Sequence, residues 1–257
     1  MILSRRVSLG GTQLDSLDNS IVIQSFDPGT PQETISAADR MGGAGQRITS
    51  EHFSMLEATL EFALDIPMRN MADRRTKFNS VIHWANQKAW LQCGALQGKR
   101  MRVDKTIMPA SGDLRTLDET YTIKFRAYNV PFWQDDTATT VNVASISTGD
   151  VSITVPGEVE TVLDAELKNI SGSQITDITI AIDGHSLVFS GMTLANGSTL
   201  KIEHGTDGLL RATVGGVSAY QRLTGSNDLF TRPGSRTISV TCAGALEMKA
   251  EVYGRYL

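Results

Sequence analysis

From residue 151 onward, short runs of alternating apolar and polar residues recur at intervals of about 8 to 13 residues, and this rhythm limits the fold more than any other feature. The runs are "VSITV" from 151, "TVLDAELKN" from 161, "ITDITIAID" from 175, "HSLVFSG" from 185, "STLKIEH" from 198, "LLRATVG" from 209, "RTISVTC" from 236 and "LEMKAEVY" from 246. Turn residues divide most of them: "SGS" at 171, "DG" at 183, "NG" at 196, "DG" at 207, "GG" at 215 and "PG" at 233. Each run puts one row of side chains on either face of an extended chain, so one face is buried and the other is wet. Eight antiparallel strands of this kind predict a two-sheet sandwich of jelly-roll type over residues 134–257. No fixed repeat period runs through them, which excludes a solenoid or propeller.

The residues before 134 have a different character. In "LEATLEFALDI" from 56, Leu56, Ala58, Leu60, Phe62, Leu64 and Ile66 alternate with residues that include Glu57, Glu61 and Asp65. "YTIKFRAYNV" from 121 repeats the pattern, with Lys124 and Arg126 on its polar side. Opposite charge on the two wet faces predicts that these strands pair or lie close in one sheet. Between them, residues 72–91 place Phe78, Val81, Ile82, Ala85 and Ala89 at helical spacing, with Asp73 as a cap or first-turn anion and Gly94 as a stop signal. One helix on a sheet is the expectation. Trp84 and Trp90 read as packing residues on that helix. Residues 27–50, rich in Pro, Gly, Ser and Thr, read as a long loop, either a surface loop or a segment that orders on contact with a partner.

Charge supports a division into two domains. Residues 1–133 carry 16 basic and 14 acidic groups, and 134–257 carry 8 and 14. The overall net charge of -4 lacks the basic footprint of a nucleic-acid binder. The opening "MILSRRVSLGGTQLD" has too short an apolar stretch for a secretory signal, and nowhere do about 18 apolar residues run together. A soluble protein made in a cytoplasm is therefore expected, with "NIS" at 169 and "NGS" at 196 read as turns. Cys93 and Cys242, far apart in the two halves, read as buried free thiols.

The search for chemistry returns no catalytic, cofactor or metal residues. His52, His83, His185 and His204 are scattered without ligand spacing, and "GGAG" at 42 lacks the Lys-Ser/Thr of a phosphate loop. Glu57 and Glu61 would stand roughly 13 Å apart on one strand, beyond either glycosidase geometry. Glu158 and Glu160 would stand roughly 6.6 Å apart, but after "VPG" they read as a solvated turn. No "GxSxG" elbow occurs. A non-catalytic carbohydrate-binding sandwich is the alternative. Trp84, Trp90 and Trp133 all precede the second half, which offers only Phe189, Tyr220, Phe230, Tyr253 and Tyr256 as aromatic platforms.

Several stretches together carry a family resemblance. "LFTRPGSRTISVT" followed by "LEMKAEVYGRYL", "WLQCGALQGKRMRVDK" after the helix, and "YTIKFRAYNVPFWQD" resemble, in order, parts of the distal tail proteins (Dit) of long, non-contractile-tailed bacteriophages. The clearest matches lie at 74–136 and 225–257, and Arg236 stands where the family pattern has Asn. The resemblance implies a mainly β chain: an α+β first domain over 1–133 that builds a ring, and a galectin-like β-sandwich over 134–257 that faces outward. It implies a structural hub, usually a homo-hexamer, at the virion tail tip, made in the host bacterial cytoplasm. The partners would be the tail tube protein on one side and tail-tip and receptor-binding proteins on the other. DNA would pass through the ring without specific nucleic-acid binding, and no membrane span, cofactor or enzymatic activity is implied.

Overall fold

The computed structural model describes residues 6–39, 46–67, 70–109 and 120–257, and within them the chain is mainly β with one α-helix. It divides into two compact units, residues 1–133 and 134–257.

In unit 1 the strands are β1 (Val7–Leu9), β2 (Thr12–Gln13), β3 (Ile21–Asp27), β4 (Pro31–Asp39) and β5 (Gln46–Leu64). Helix α1 (Met71–Ala85) follows, then β6 (Trp90–Cys93), β7 (Lys99–Arg102), β8 (Lys105–Ile107) and β9 (Tyr121–Ala127), while β10 (Trp133–Asp135) crosses the unit boundary. The two strands expected to meet do so: β5 and β9 pair antiparallel from Leu56↔Ala127 to Phe62↔Tyr121. Their inward rows, Leu56, Ala58, Leu60 and Phe62 against Ile123 and Phe125, are buried. On the other face Glu57 accepts hydrogen bonds from Lys124 Nζ at 2.7 Å and Arg126 Nε at 2.6 Å. The Lys124 ammonium, with Arg126 beside it, holds the Glu57 carboxyl below its ordinary value against the opposing effect of burial.

Two expectations for unit 1 need correction. Residues 31–39 and 46–50 are strand, not loop. β4 pairs antiparallel with β5 from Pro31↔Leu56 to Asp39↔Gln46, with register shifts after Gln32 and Ser36, and these two strands are the β4–β5 hairpin. Residues 40–45 lie outside the described residues. The hairpin leaves little trace in the sequence because its distal part buries no face: Ile35 and Ile48 are 53% and 56% exposed, and the backbone ladder does the ordering. Its entry is the turn at Gly29 (φ +67°), where a Cβ would lie 2.0 Å from the Glu57 carbonyl oxygen, so only glycine fits.

The helix also ends early. α1 stops at Ala85, capped by Asn86, whose N–H donates to Ile82 O at 3.1 Å, so Ala89 and Trp90 lie beyond it. The apolar spacing ran on through Ala89, which is half-buried in the turn between α1 and β6. Asp73 does lie in the first turn, while the residue at the cap position is Asn70. Phe78, Val81, Trp84 and Ala85 are buried and Ile82 only partly so; Trp84 Nε1 donates to Thr12 O at 2.9 Å and its ring meets Phe125 edge-on.

Unit 2 contains β11 (Thr139–Val155), β12 (Thr161–Asn169), β13 (Ile178–Ile182), β14 (His185–Phe189), β15 (Thr199–His204), β16 (Leu210–Val214), β17 (Val217–Ser218), β18 (Leu223–Gly225), β19 (Phe230–Thr231), β20 (Gly234–Val252) and β21 (Arg255–Tyr256). The alternating runs appear as strands, with one correction: the runs at 236 and 246 are a single strand, β20. It pairs along nearly its whole length with β11, and the ladder shifts register on both sides of the Ile146↔Leu246 pair, with residues 242–245 between that pair and Thr148↔Thr241. On its other edge β20 changes neighbour. Ile238–Cys242 pair with β13, and Leu246–Val252 pair with β12. A bulge that bends two long strands is how one ladder serves both layers of a sandwich. Every second residue of β20 from Ile238 to Val252 faces the core except at the bend, where Gly244 stands close to Ser171 and Ile175. From β12 the sheet continues through β15 to β16 and β17, and from β13 through β14 to β18. The "DG" at 183 makes a two-residue turn closing Ile182↔His185, with Asp183 at φ 50° and Gly184 at φ 85°.

Reversing the charge at Lys124 (Lys124→Glu) places two carboxylates across the β5–β9 ladder. The expected result is a loss of about 1 kcal/mol in urea denaturation, recovered in part by adding Glu57→Gln, which removes the repulsion.

Candidate interaction surfaces

No catalytic, cofactor or metal residue was expected, and the structure gives the candidates weighed in the sequence structural partners. Glu57 is the centre of the Lys124–Arg126 pair, and Glu61 accepts from Ser25 Oγ at 2.7 Å. Glu158 accepts the Leu257 N–H at 3.2 Å, and Glu160 is 4.0 Å from Arg232 Nε. Both cysteines are buried and unbridged, and burial pushes each thiol up from its ordinary value. Trp133 is buried with its Nε1 donating to Pro28 O at 3.1 Å, and Trp90 lies under the Arg100 guanidinium at 4.2 Å. Phe189 is core, and Phe230 stacks edge-on against His185. His52 and His83 are exposed. Among the described residues no three His, Cys, Asp or Glu side chains are arranged to hold a metal ion, and no helix is long and apolar enough to cross a membrane.

His204 is the exception among the histidines. At the end of β15 its ring is 6% exposed and stands between two carboxylates. Nδ1 donates to Asp164 Oδ1 at 2.6 Å, Nε2 donates to Asp228 Oδ1, and the His204 backbone N–H also donates to Asp164 at 3.0 Å. Burial opposes the charged ring, but the hydrogen bonds to Asp164 and Asp228 outweigh it and raise the pKa to about 9. Glu160 and the Arg255 guanidinium, whose pKa burial lowers, complete the charged surroundings. The cluster ties strands β12 and β15 to the segment before β19. Sequence reasoning missed it because the partners lie 40 and 24 residues away from His204, with no local spacing to betray them.

Three surfaces remain as candidates for contact. The first is the distal part of the β4–β5 hairpin, where from Gln46 to Met55 β5 has only β4 beside it among the described residues. The second is the charged face of β5 and β9. The third is a groove of about 740 Å³ in unit 2, lined by Leu209, Leu210, Arg211, Ala212, Tyr220 and Asp228 among others. At its rim Arg211 Nη2 donates to Asp207 at 2.6 Å, and the guanidinium occupies the place a side chain at Gly205 would need. Asp228 takes both the His204 contact and the Leu229 N–H at 2.9 Å on Oδ1. Tyr220 is 48% exposed beside this groove.

The fold matches a solved structure from end to end. The SPP1 Dit (gp 19.1) protein, described as a paradigm of the hub adsorption apparatus in phages that infect Gram-positive bacteria, superposes with a TM-score of 0.68, covering 98% of this chain and 99% of that one at 11% identity. A chain of the phage P2 baseplate in its activated conformation with Ca aligns over 97% of each chain at 8% identity, with a TM-score of 0.46, too distant to bear on the argument. No protein-family model matches the sequence, and no curated protein matches it.

The His204 cluster sets a pH dependence. Its stabilisation is complete below the ordinary histidine value near 6.5 and is lost as pH rises through about 9. Urea-unfolding free energy should fall by up to about 3 kcal/mol between pH 6 and pH 10, and His204→Asn should be less stable at pH 6 and nearly flat across that window.

Proposed function

We propose that this chain is a structural component of a bacteriophage tail tip: a distal tail protein whose copies, six by the family resemblance, close into a ring between the tail tube and the tail-tip and receptor-binding proteins. The observation that carries the proposal is the two-way, near-complete superposition on the SPP1 Dit protein, which spans both units in order. The motifs at 74–136 and 225–257 point the same way and were found without the structure.

The physical features fit the role. A ring needs a head-to-tail interface in which one surface of each copy meets a different surface of the next. In this reading the β4–β5 hairpin, with exposed Ile35 and Ile48, supplies one of these surfaces by reaching the neighbouring copy or the tube. Unit 2, acidic by 14 groups to 8, is the galectin-like sandwich that faces outward toward other tail proteins. The role is structural, with no reaction assigned to any residue, and DNA passes the ring without sequence-specific contact.

Light scattering after size exclusion, with negative-stain images of the same fraction, should give particles of about six times the 27.9 kDa chain mass with a central hole. Replacing residues 35–51 by Asn-Gly, which closes the hairpin at the Thr34↔His52 pair, should yield monomers that keep the β5–β9 core and melt within a few degrees of the parent. Rings formed by the shortened protein would remove the hairpin from the interface, and a parent protein that stays at 27.9 kDa at every concentration would count against a self-closing ring.

A further inference from the structure

The groove in unit 2 is lined by every residue from Gly208 to Thr213 in succession. Consecutive residues of a strand point to opposite faces of its sheet, so a cavity touching all of them runs along the strand's edge. β16 is nearly the last strand of its layer. Its inner edge pairs with β15 along all five residues, from Leu200↔Val214 to His204↔Leu210. Its outer neighbour β17 covers only Thr213 and Val214 before the chain leaves in the turn Tyr220–Arg222.

The ladder fixes which backbone groups are left over. The Ala219 N–H donates to Ala212 O at 2.8 Å, so Ala212 directs its N–H and C=O outward, away from β15. By the two-residue alternation Leu210 does the same, while Arg211 and Thr213 turn theirs toward β15. No strand lies beside Leu210 or the Ala212 N–H among the described residues; both line the groove, with Leu210 half-buried and Ala212, 2% exposed, at its floor. An open edge of this kind is a template for a further strand. Only an extended polypeptide offers alternating N–H and C=O groups in the matching repeat. Above the edge stand Tyr220 and Leu209, both largely exposed, and Val217 is 72% exposed on the neighbouring hairpin. Arg211 is neutralised by Asp207 and Asp228 by the His204 ring, and Asp228 keeps Oδ2 as a hydrogen-bond acceptor beside the edge. With unit 2 acidic by 14 groups to 8, the complementary segment is basic.

We propose that this groove is a docking site for an extended, basic-apolar segment of a partner protein, which adds as a strand to the outer edge of β16. The site is independent of ring formation: it lies within unit 2 and needs no second copy.

Amide hydrogen exchange on the full-length protein reads the edge directly. In the free protein the Leu210 amide should exchange at least about a hundredfold faster than those of Arg211 and Thr213, which bond within the ladder. The probe is a synthetic acetylated peptide of alternating Lys or Thr and Val residues, with an alternating Glu and Val peptide as its charge-reversed counterpart. Binding of the Lys peptide should slow Leu210 and Ala212 selectively, and the Glu peptide should bind more weakly. Leu210→Pro removes an outward N–H without touching the β15 ladder, and should weaken the Lys peptide about tenfold while Arg211 and Thr213 stay protected. If that variant loses their protection, Tyr220→Ala serves in its place, with the same expected weakening. Equal protection of Leu210 and Arg211 in the free protein, or peptide binding indifferent to both substitutions, would overturn the proposal. So would binding on a glycan array that Tyr220→Ala abolishes and Leu210→Pro leaves intact, since a saccharide reads side chains rather than the strand's backbone.

Discussion

The antiparallel ladder between β11 and β20 is the constraint on which unit 2 depends. One layer hangs on the Ile238–Cys242 part of β20 and the other on Leu246–Val252, while β11 follows both. Neither layer holds its register without the bend between them. Because β11 and β20 are separated in the chain by every other strand of the core, their pairing closes the longest loop in the unit, and the entropy of that closure must be met before the buried row of β20 is completed. Unit 2 therefore has little partial structure to fall back on.

How far the sequence revealed this depends on what each segment buries. β5 and β9 were readable because they combine a buried row with a charged row, and Glu57, Lys124 and Arg126 named their own pairing. The turn at Asp183–Gly184 was readable because its backbone requires φ above zero. The β4–β5 hairpin was not: Thr34, Ile35 and Ser36 order through backbone pairing, and a strand wet on both faces leaves no alternation to find. β20 was split in two because "CAGA" at its bend carries the small residues of a loop, which here serve close packing against Ser171 and Ile175. Helix α1 stops short of its apolar spacing because Ala89, which continues that spacing, lies in the turn before β6.

The surfaces divide along the same line. The fold class and the family resemblance rest on patterns that burial writes into the sequence, and the superposition on the SPP1 Dit protein agrees with them. The His204 cluster and the open edge of β16 rest on pairing between distant strands. Asp164, His204 and Asp228 belong to three elements that meet only in the folded sandwich, and the edge of β16 is defined by where β17 stops. Arg236 is a case between the two. It stands where the family pattern has Asn, and it closes the Pro-Gly turn itself, donating to Arg232 O at 3.0 Å and Pro233 O at 2.7 Å and standing 3.4 Å from Asp183.

Strand β5 joins the projecting hairpin to the centre of unit 1 without a break in the chain. Residues 46–55 lie in the hairpin, and Leu56–Phe62 are held between neighbours, with seven consecutive pairs to β9. A pull on the hairpin runs along this one strand, parallel to its axis, and meets those ladder bonds side by side, in shear, where they must yield together rather than peel apart singly. The same hydrogen bonds that set the register of the sheet thus make the hairpin a tether able to carry tension into the core.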